Sequence, residues 1–167
     1  KHSNIVPQCA LAIEAAFTEA GFPKHVFTTV ITNHETVAEL ISSDLTQGVS
    51  LTGSTSAGAK VAELAGANLK KVVLELGGSD PFIVLADADL EYTTTMAVTA
   101  RTQNAGQSCI SAKRFILQDK IAEKFTKLFV EKMKKLNVGD PLKPNTQVGP
   151  LAKLDIRRER GRSLLVT

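Results

Sequence analysis

The chain alternates short apolar runs with longer stretches whose apolar residues recur every three or four positions. Cys9, Ile13, Ala16, Phe17 and Ala20 recur at helical spacing, which predicts a helix with Cys9 on its packed face. Pro7 suits its first turn, Ser3 or Asn4 stands nearby as a cap, and Gly21 and Pro23 end it. Val26 to Ile31 is rich in strand-forming residues. Thr32 and Glu35 have capping-box spacing and open a short helix through Ile41. Val49 to Thr52 reads as a short buried strand, and Gly53-Ser54-Thr55 turns the chain into a helix that runs to about Ala67.

Beyond that point the pattern repeats. KKVVLEL (70–76) predicts a strand ending at Gly77-Gly78, and Phe82 to Leu85 is a second short apolar run. Asp89 to about Arg101 reads as a helix, QNAGQSC (103–109) as a polar loop, and Lys113 to Leu117 as a strand. Residues 119–136 form an amphipathic helix, with Ile121, Phe125, Leu128, Phe129, Lys132 and Leu136 on one face. Strand–helix alternation of this kind implies an α/β fold with parallel strands.

Composition narrows the class. Of 167 residues, 43% are hydrophobic and 22% charged, a globular balance that excludes a wholly disordered chain. No apolar run approaches the ~18 residues of a membrane-spanning helix, and KHSNIVPQCA lacks the apolar stretch of a signal peptide. A first residue other than Met points to an internal fragment or a processed start. The net charge of +3 is uneven: residues 1–118 carry 8 Lys/Arg against 11 Asp/Glu, and residues 119–167 carry 12 against 6. A basic third of this kind suits nucleic acid, but no aromatic residue follows Phe129 to stack on bases, so a solvated helix face and no nucleic-acid partner are expected. Two cysteines, Cys9 and Cys109, with no CxxC or Cys/His ligand spacing, argue against a zinc site and fit a reducing, cytoplasmic setting.

The segment LTGSTSAG (51–58) carries the first candidate chemistry. A strand, a glycine and a serine lead directly into a helix start, whose free N–H groups and partial positive charge suit a diphosphate. By itself the segment is a weak signal and reads first as an ordinary strand-to-helix turn.

Two further segments give it a context. LELGGSDPFIVLADADLE (74–91) places Glu75 at a strand end before two glycines, and NAGQSCISAKRFI (104–116) places Cys109 in a loop 34 positions later. Together with LTGSTSAG, KHSNIVPQCALAIEAAFTEAGFP (1–23), GDPL (139–142) and VGPLA (148–152), in that order along the chain, they resemble the aldehyde dehydrogenase family. GGSDPFIVL and KHSNIVPQCA are most similar to its succinate-semialdehyde dehydrogenase-like members.

The resemblance implies part of a Rossmann-like cofactor domain over 1–76, part of an α/β catalytic domain over 77–156, and a divergent basic tail over 157–167. It implies that Cys109 is a nucleophile toward an aldehyde carbon and Glu75 the general base that hydrolyses the resulting thioester, with a metal playing no part. It places Lys1, Asn4, Gly53, Ser54 and Leu76 at the cofactor, Lys1 on the adenosine ribose. Asn4 stands where NAD-selective members often carry Glu, so NAD or NADP is expected, with the 2′-phosphate allowed. Full-length relatives are expected to be homo-oligomers. The family's Asn oxyanion donor, its later Glu and the rest of its catalytic domain lie outside this sequence. Weak or no activity of the chain alone is therefore expected. A non-catalytic remnant or nucleotide-binding interaction module is the alternative.

Overall fold

A computed structural model describes residues 1–153, so the tail expected over 157–167 lies outside the described residues. The chain divides between Leu76 and Gly77 into two compact units. Both use the same device, in which a strand and a helix lead to a second strand lying parallel to the first. No helix among the described residues is long and apolar enough to cross a membrane.

The first unit contains helix α1 (Pro7–Glu19), helix α2 (His34–Ser42), strand β1 (Gly48–Thr52), helix α3 (Thr55–Ala67) and strand β2 (Lys71–Glu75). β1 and β2 pair in parallel, from Gly48 opposite Lys71 to Thr52 opposite Glu75. Parallel pairing requires a crossover, and α3 supplies it. α3 ends in a Schellman motif: Lys70 N–H donates to the Ala65 carbonyl at 2.8 Å and Leu69 N–H to the Gly66 carbonyl at 3.1 Å. α1 ends the same way, through Phe22 N–H to Phe17 and Gly21 N–H to Thr18. Gly21 takes the left-handed position there at φ 80°, while in α3 Leu69 is forced into it at φ 54°.

Several local expectations change in this unit. Neither Ser3 nor Asn4 caps α1: Val6 stands at its start without a side-chain cap. The α2 cap is Asn33, whose Oδ1 accepts from Thr36 N–H at 2.9 Å, rather than the Thr32–Glu35 box. Val26 to Ile31 forms no strand and pairs with none of the described strands. It lies on α1 instead. Thr29 N–H donates to Glu14 Oε2 and Thr29 Oγ1 to the Ala10 carbonyl, each at 2.9 Å, and Phe27 stacks on Phe17 at 4.8 Å. The covered face of α1 is therefore Ala10–Glu14–Phe17: it keeps Phe17 from the face read from hydrophobicity but takes Ala10 and Glu14, one position on from Cys9 and Ile13. Cys9 and Ile13 are exposed. β1 is half-buried rather than buried.

The second unit contains strand β3 (Pro81–Val84), helix α4 (Leu90–Thr102), a 3-10 turn (Gln103–Gly106), strand β4 (Arg114–Leu117) and helix α5 (Asp119–Lys134). β3 pairs with β4 in parallel, Pro81 opposite Arg114 through Val84 opposite Leu117. Asp89 caps α4 by accepting from the N–H groups of Glu91 and Tyr92. Val84, Ala97, Ile121 and Phe125 form the core, flanked by Phe82, Phe115 and Phe129. Phe115 sits 5.0 Å from Phe129 and 5.5 Å from Phe82, tilted against both, a favourable aromatic geometry. Lys132 fastens α5 to α4 through Glu91 Oε2 at 2.9 Å and Thr95 Oγ1 at 2.8 Å. That bond gives the lone cation on the apolar face of α5 a structural use.

Candidate active-site residues

In the first unit the candidates gather at the carboxyl edge of the β1–β2 pair. β1 ends at Thr52, opposite Glu75, and Gly53 N–H extends the ladder by donating to the Glu75 carbonyl at 2.9 Å. The register thus sets the Gly53–Ser54 turn beside Glu75, at the edge where open α/β sheets take ligands. Ser54 caps α3: its Oγ accepts from Ala57 N–H at 3.2 Å and lies 3.0 Å from Ser56 Oγ. No acidic residue occupies the first turn of α3. Two hydroxyls and a helix N-terminus without an opposing carboxylate form a donor set that fits a dinucleotide diphosphate. Glu75 is exposed, and Leu76 follows it half-buried.

Leu76 explains a residue that sequence reasoning passed over. Gly58, buried on α3, approaches Leu76 so closely that a Cβ there would lie 2.6 Å from Leu76 Cδ2. The small side chain is thus a packing requirement, which was legible only as one more small residue in LTGSTSAG. At the start of the chain, Lys1 Nζ donates to Asn4 Oδ1 at 2.9 Å and to the His2 carbonyl at 3.0 Å. An amide in place of a carboxylate leaves the ammonium charge uncompensated, which fits a phosphate-bearing ribose.

In the second unit Cys109 stands on a tightly held loop. The backbone takes left-handed angles at Asn104 (φ 50°), Ala105 (φ 54°) and Gly106 (φ 70°), an unusual run that ends α4 abruptly. A β-turn follows, closed by Ser111 N–H to the Ser108 carbonyl at 3.2 Å. Cys109 and Ile110 are its central residues, so neither of their N–H groups takes part in the closing bond. Cys109 is exposed and carries a free thiol.

Bonds from several directions hold this loop. Gln107 Nε2 donates to the Asn104 carbonyl at 3.0 Å, and Gln107 Oε1 accepts from Ala152 N–H at 2.8 Å, tying the VGPLA segment to the loop. Arg101 reaches the Ala112 carbonyl at 3.2 Å. Lys113 Nζ donates to the Cys109 carbonyl at 2.9 Å and the Ser108 carbonyl at 3.2 Å, and Arg114 Nε to the Ser79 carbonyl at 2.8 Å. A Cβ on Gly78 would stand 3.3 Å from the Cys109 carbonyl oxygen, so a residue without one suits the chain passing there. Ser111 is fully buried and its Oγ has no hydrogen-bond partner among the described residues. By sequence alone, Lys113 and Arg114 read as belonging to a solvated loop or a salt bridge. Their exposed side chains instead spend their donors on loop carbonyls, which no periodicity could indicate.

The structure therefore groups Gly53, Ser54, Glu75 and Leu76 in one unit, pairs Lys1 with Asn4 in the same unit, and presents Cys109 in the other.

A strand-end carboxylate and a phosphate-suited helix start stand in one α/β unit, and an exposed thiol on a braced turn stands in the other. The model of the aldehyde dehydrogenase family matches residues 1–161, and the chain belongs to that family. A probable succinate-semialdehyde dehydrogenase [NADP(+)] of Synechocystis sp. is 52% identical over 156 residues, which are 93% of this chain and 34% of that protein. A succinate-semialdehyde dehydrogenase [NADP(+)] of Mycobacterium avium is 50% identical over 152 residues, 91% of this chain and 32% of that one. The crystal structure of succinic semialdehyde dehydrogenase from Streptococcus pyogenes in complex with NADP+ superposes with a TM-score of 0.91 at 39% identity, over 95% of this chain and 35% of that one. The chain spans about a third of the length of these relatives.

Proposed function

We propose that the chain carries the nucleophile, the general base and the cofactor-phosphate loop of a dehydrogenase that oxidises succinate semialdehyde, or a similar small aldehyde, to the carboxylic acid with NADP+. The observation that carries this reading is the Cys109 turn. It presents a free, exposed thiol and an N–H outside the turn's closing bond on the same residue. The names of the relatives support the substrate and NADP, and Asn4 beside Lys1 supports NADP over a strict NAD preference. Residues 1–76 then belong to the cofactor domain and 77–156 to the catalytic domain. Assembly into a homo-oligomer and a cytoplasmic setting complete the proposal.

In this mechanism the Cys109 thiol gives up its proton to solvent, its sulfur bonds to the aldehyde carbon, and the carbonyl π electrons move onto oxygen. The Cys109 N–H is the donor for the oxyanion so formed, worth about 10²–10³ in rate for such a donor. Gly53, Ser54 and the α3 N-terminus would hold the dinucleotide phosphates, and Lys1 the ribose phosphate. When bound, the dinucleotide supplies the two-electron acceptor. The oxyanion re-forms the C=O bond as the hydrogen on that carbon leaves with its electron pair, and a thioester remains on Cys109. Glu75 takes a proton from water, the hydroxide adds to the thioester carbon, and the carboxylic acid departs as the Cys109 sulfur regains its electron pair.

Alkylation with iodoacetamide, read separately at Cys109 and Cys9 by mass spectrometry, tests this. Both thiols are exposed, so Cys9 is an internal control. Faster labelling at Cys109, slowed by succinate semialdehyde at Cys109 alone, is expected. Equal rates untouched by aldehyde would sink the reading in favour of a non-catalytic module.

A further inference from the structure

Lys113 contacts the two peptide groups that flank the α-carbon of Cys109. The Ser108 carbonyl belongs to the peptide whose N–H is that of Cys109, and the Cys109 carbonyl to the peptide whose N–H is that of Ile110. Both carbonyls accept from the Lys113 ammonium, at 3.2 and 2.9 Å. Cis peptides are absent from the described chain, so each N–H points away from its own carbonyl and away from the ammonium. A charged donor on a carbonyl draws electron density from its amide and makes the N–H opposite a stronger donor. The Ser108 carbonyl already accepts from Ser111 N–H, so that peptide is polarised twice.

We propose that Lys113 is a positioning residue that aims and strengthens the backbone donors of Cys109 and Ile110 toward an oxyanion on the Cys109 adduct. This rests on Cys109 being the nucleophile. Lys113 does not touch the aldehyde; it acts through the peptides of the turn. Two consecutive N–H groups aimed by one ammonium form a preorganised anion seat, which stabilises charge as it develops without reorientation. A lysine serves because its several ammonium hydrogens can satisfy two carbonyls at once. Lys113→Arg keeps the positive charge and offers more than one donor, so it is the variant that retains the effect.

The test measures adduct formation in the full chain, without cofactor. Cys109 alkylation by iodoacetamide is followed against succinate semialdehyde concentration for the parent, Lys113→Met, Lys113→Gln and Lys113→Arg. The half-protecting aldehyde concentration should rise about fivefold in Lys113→Met, less in Lys113→Gln, and return near the parent value in Lys113→Arg. Each variant's protection is normalised to its own rate without aldehyde, so that a change in thiolate fraction is read separately from the loss of the donors. Equal half-protecting concentrations in all four proteins overturn the proposal and leave the nucleophile reading intact. Parent Cys109 that aldehyde fails to protect overturns both. Circular dichroism identifies a variant that has lost its fold; if both neutral variants unfold while Lys113→Arg folds, the lysine is structural and the proposal is wrong.

Discussion

Gly58→Ala tests the closest approach in the first unit. A Cβ at this position would lie 2.6 Å from Leu76 Cδ2, 2.9 Å from Cδ1 and 3.3 Å from Cγ. Carbon atoms rest about 3.5–4.0 Å apart, so each of the three must retreat. Turning the two methyl groups leaves Cγ in place, and the whole side chain has to shift. Such overpacking costs about 1–3 kcal/mol. The helix gains about 0.8–1.0 kcal/mol when alanine replaces glycine. Clash exceeds propensity, and a net loss of about 1 kcal/mol follows, which lowers the melting temperature by a few degrees. Gly66→Ala is the matched control: it lies on the same helix with nothing within 4 Å of its would-be Cβ. It should stabilise by about 0.4–1 kcal/mol. Urea denaturation of the parent and both variants, followed by far-UV circular dichroism, reads the two signs. If Gly58→Ala matches Gly66→Ala, Leu76 yields freely and the packing argument fails. Because the displaced residue is a proposed cofactor contact, NADP+ titration of Gly58→Ala should also show weaker binding than Gly66→Ala.

Two smaller perturbations address strain and an orphaned polar group. Leu69 is 95% exposed and holds φ 54° at the end of α3, so Leu69→Gly loses no packing and should raise stability by about 0.5–1 kcal/mol in the same denaturation assay; a drop would mean that the backbone there is not strained. Ser111→Ala removes a fully buried hydroxyl that has no partner among the described residues, and a gain of about 1 kcal/mol is expected. Lower stability in that variant would show that the hydroxyl is bonded in solution.

Where hydrogen bonds and side-chain period act within a few residues, the sequence was informative. Asp89 beside its own helix start, Gly21 at a helix end and the one-sided apolar stripe of α5 are local features, and their elements form where the pattern places them. Family membership was legible for a related reason: a strand-end Glu, a Gly-Ser helix start and a loop Cys in fixed order form a pattern that chance seldom assembles. Fitness for a strand is different, because a strand exists only beside another edge. Val26 to Ile31 has the composition and no described partner, and it packs on α1 instead.

The sequence by itself determined the α/β class, most helix limits, the parallel strands and the candidate pair Glu75 and Cys109. Tertiary structure decided what surrounds them. It covered α1 through Ala10 rather than Cys9, required the missing Cβ at Gly58, and turned Lys113 from a surface charge into a brace for the Cys109 turn. Residue type and spacing encode what a side chain can do, because those interactions are local. Which carbonyl a lysine finds, and which helix face is covered, depend on the path of the backbone through space.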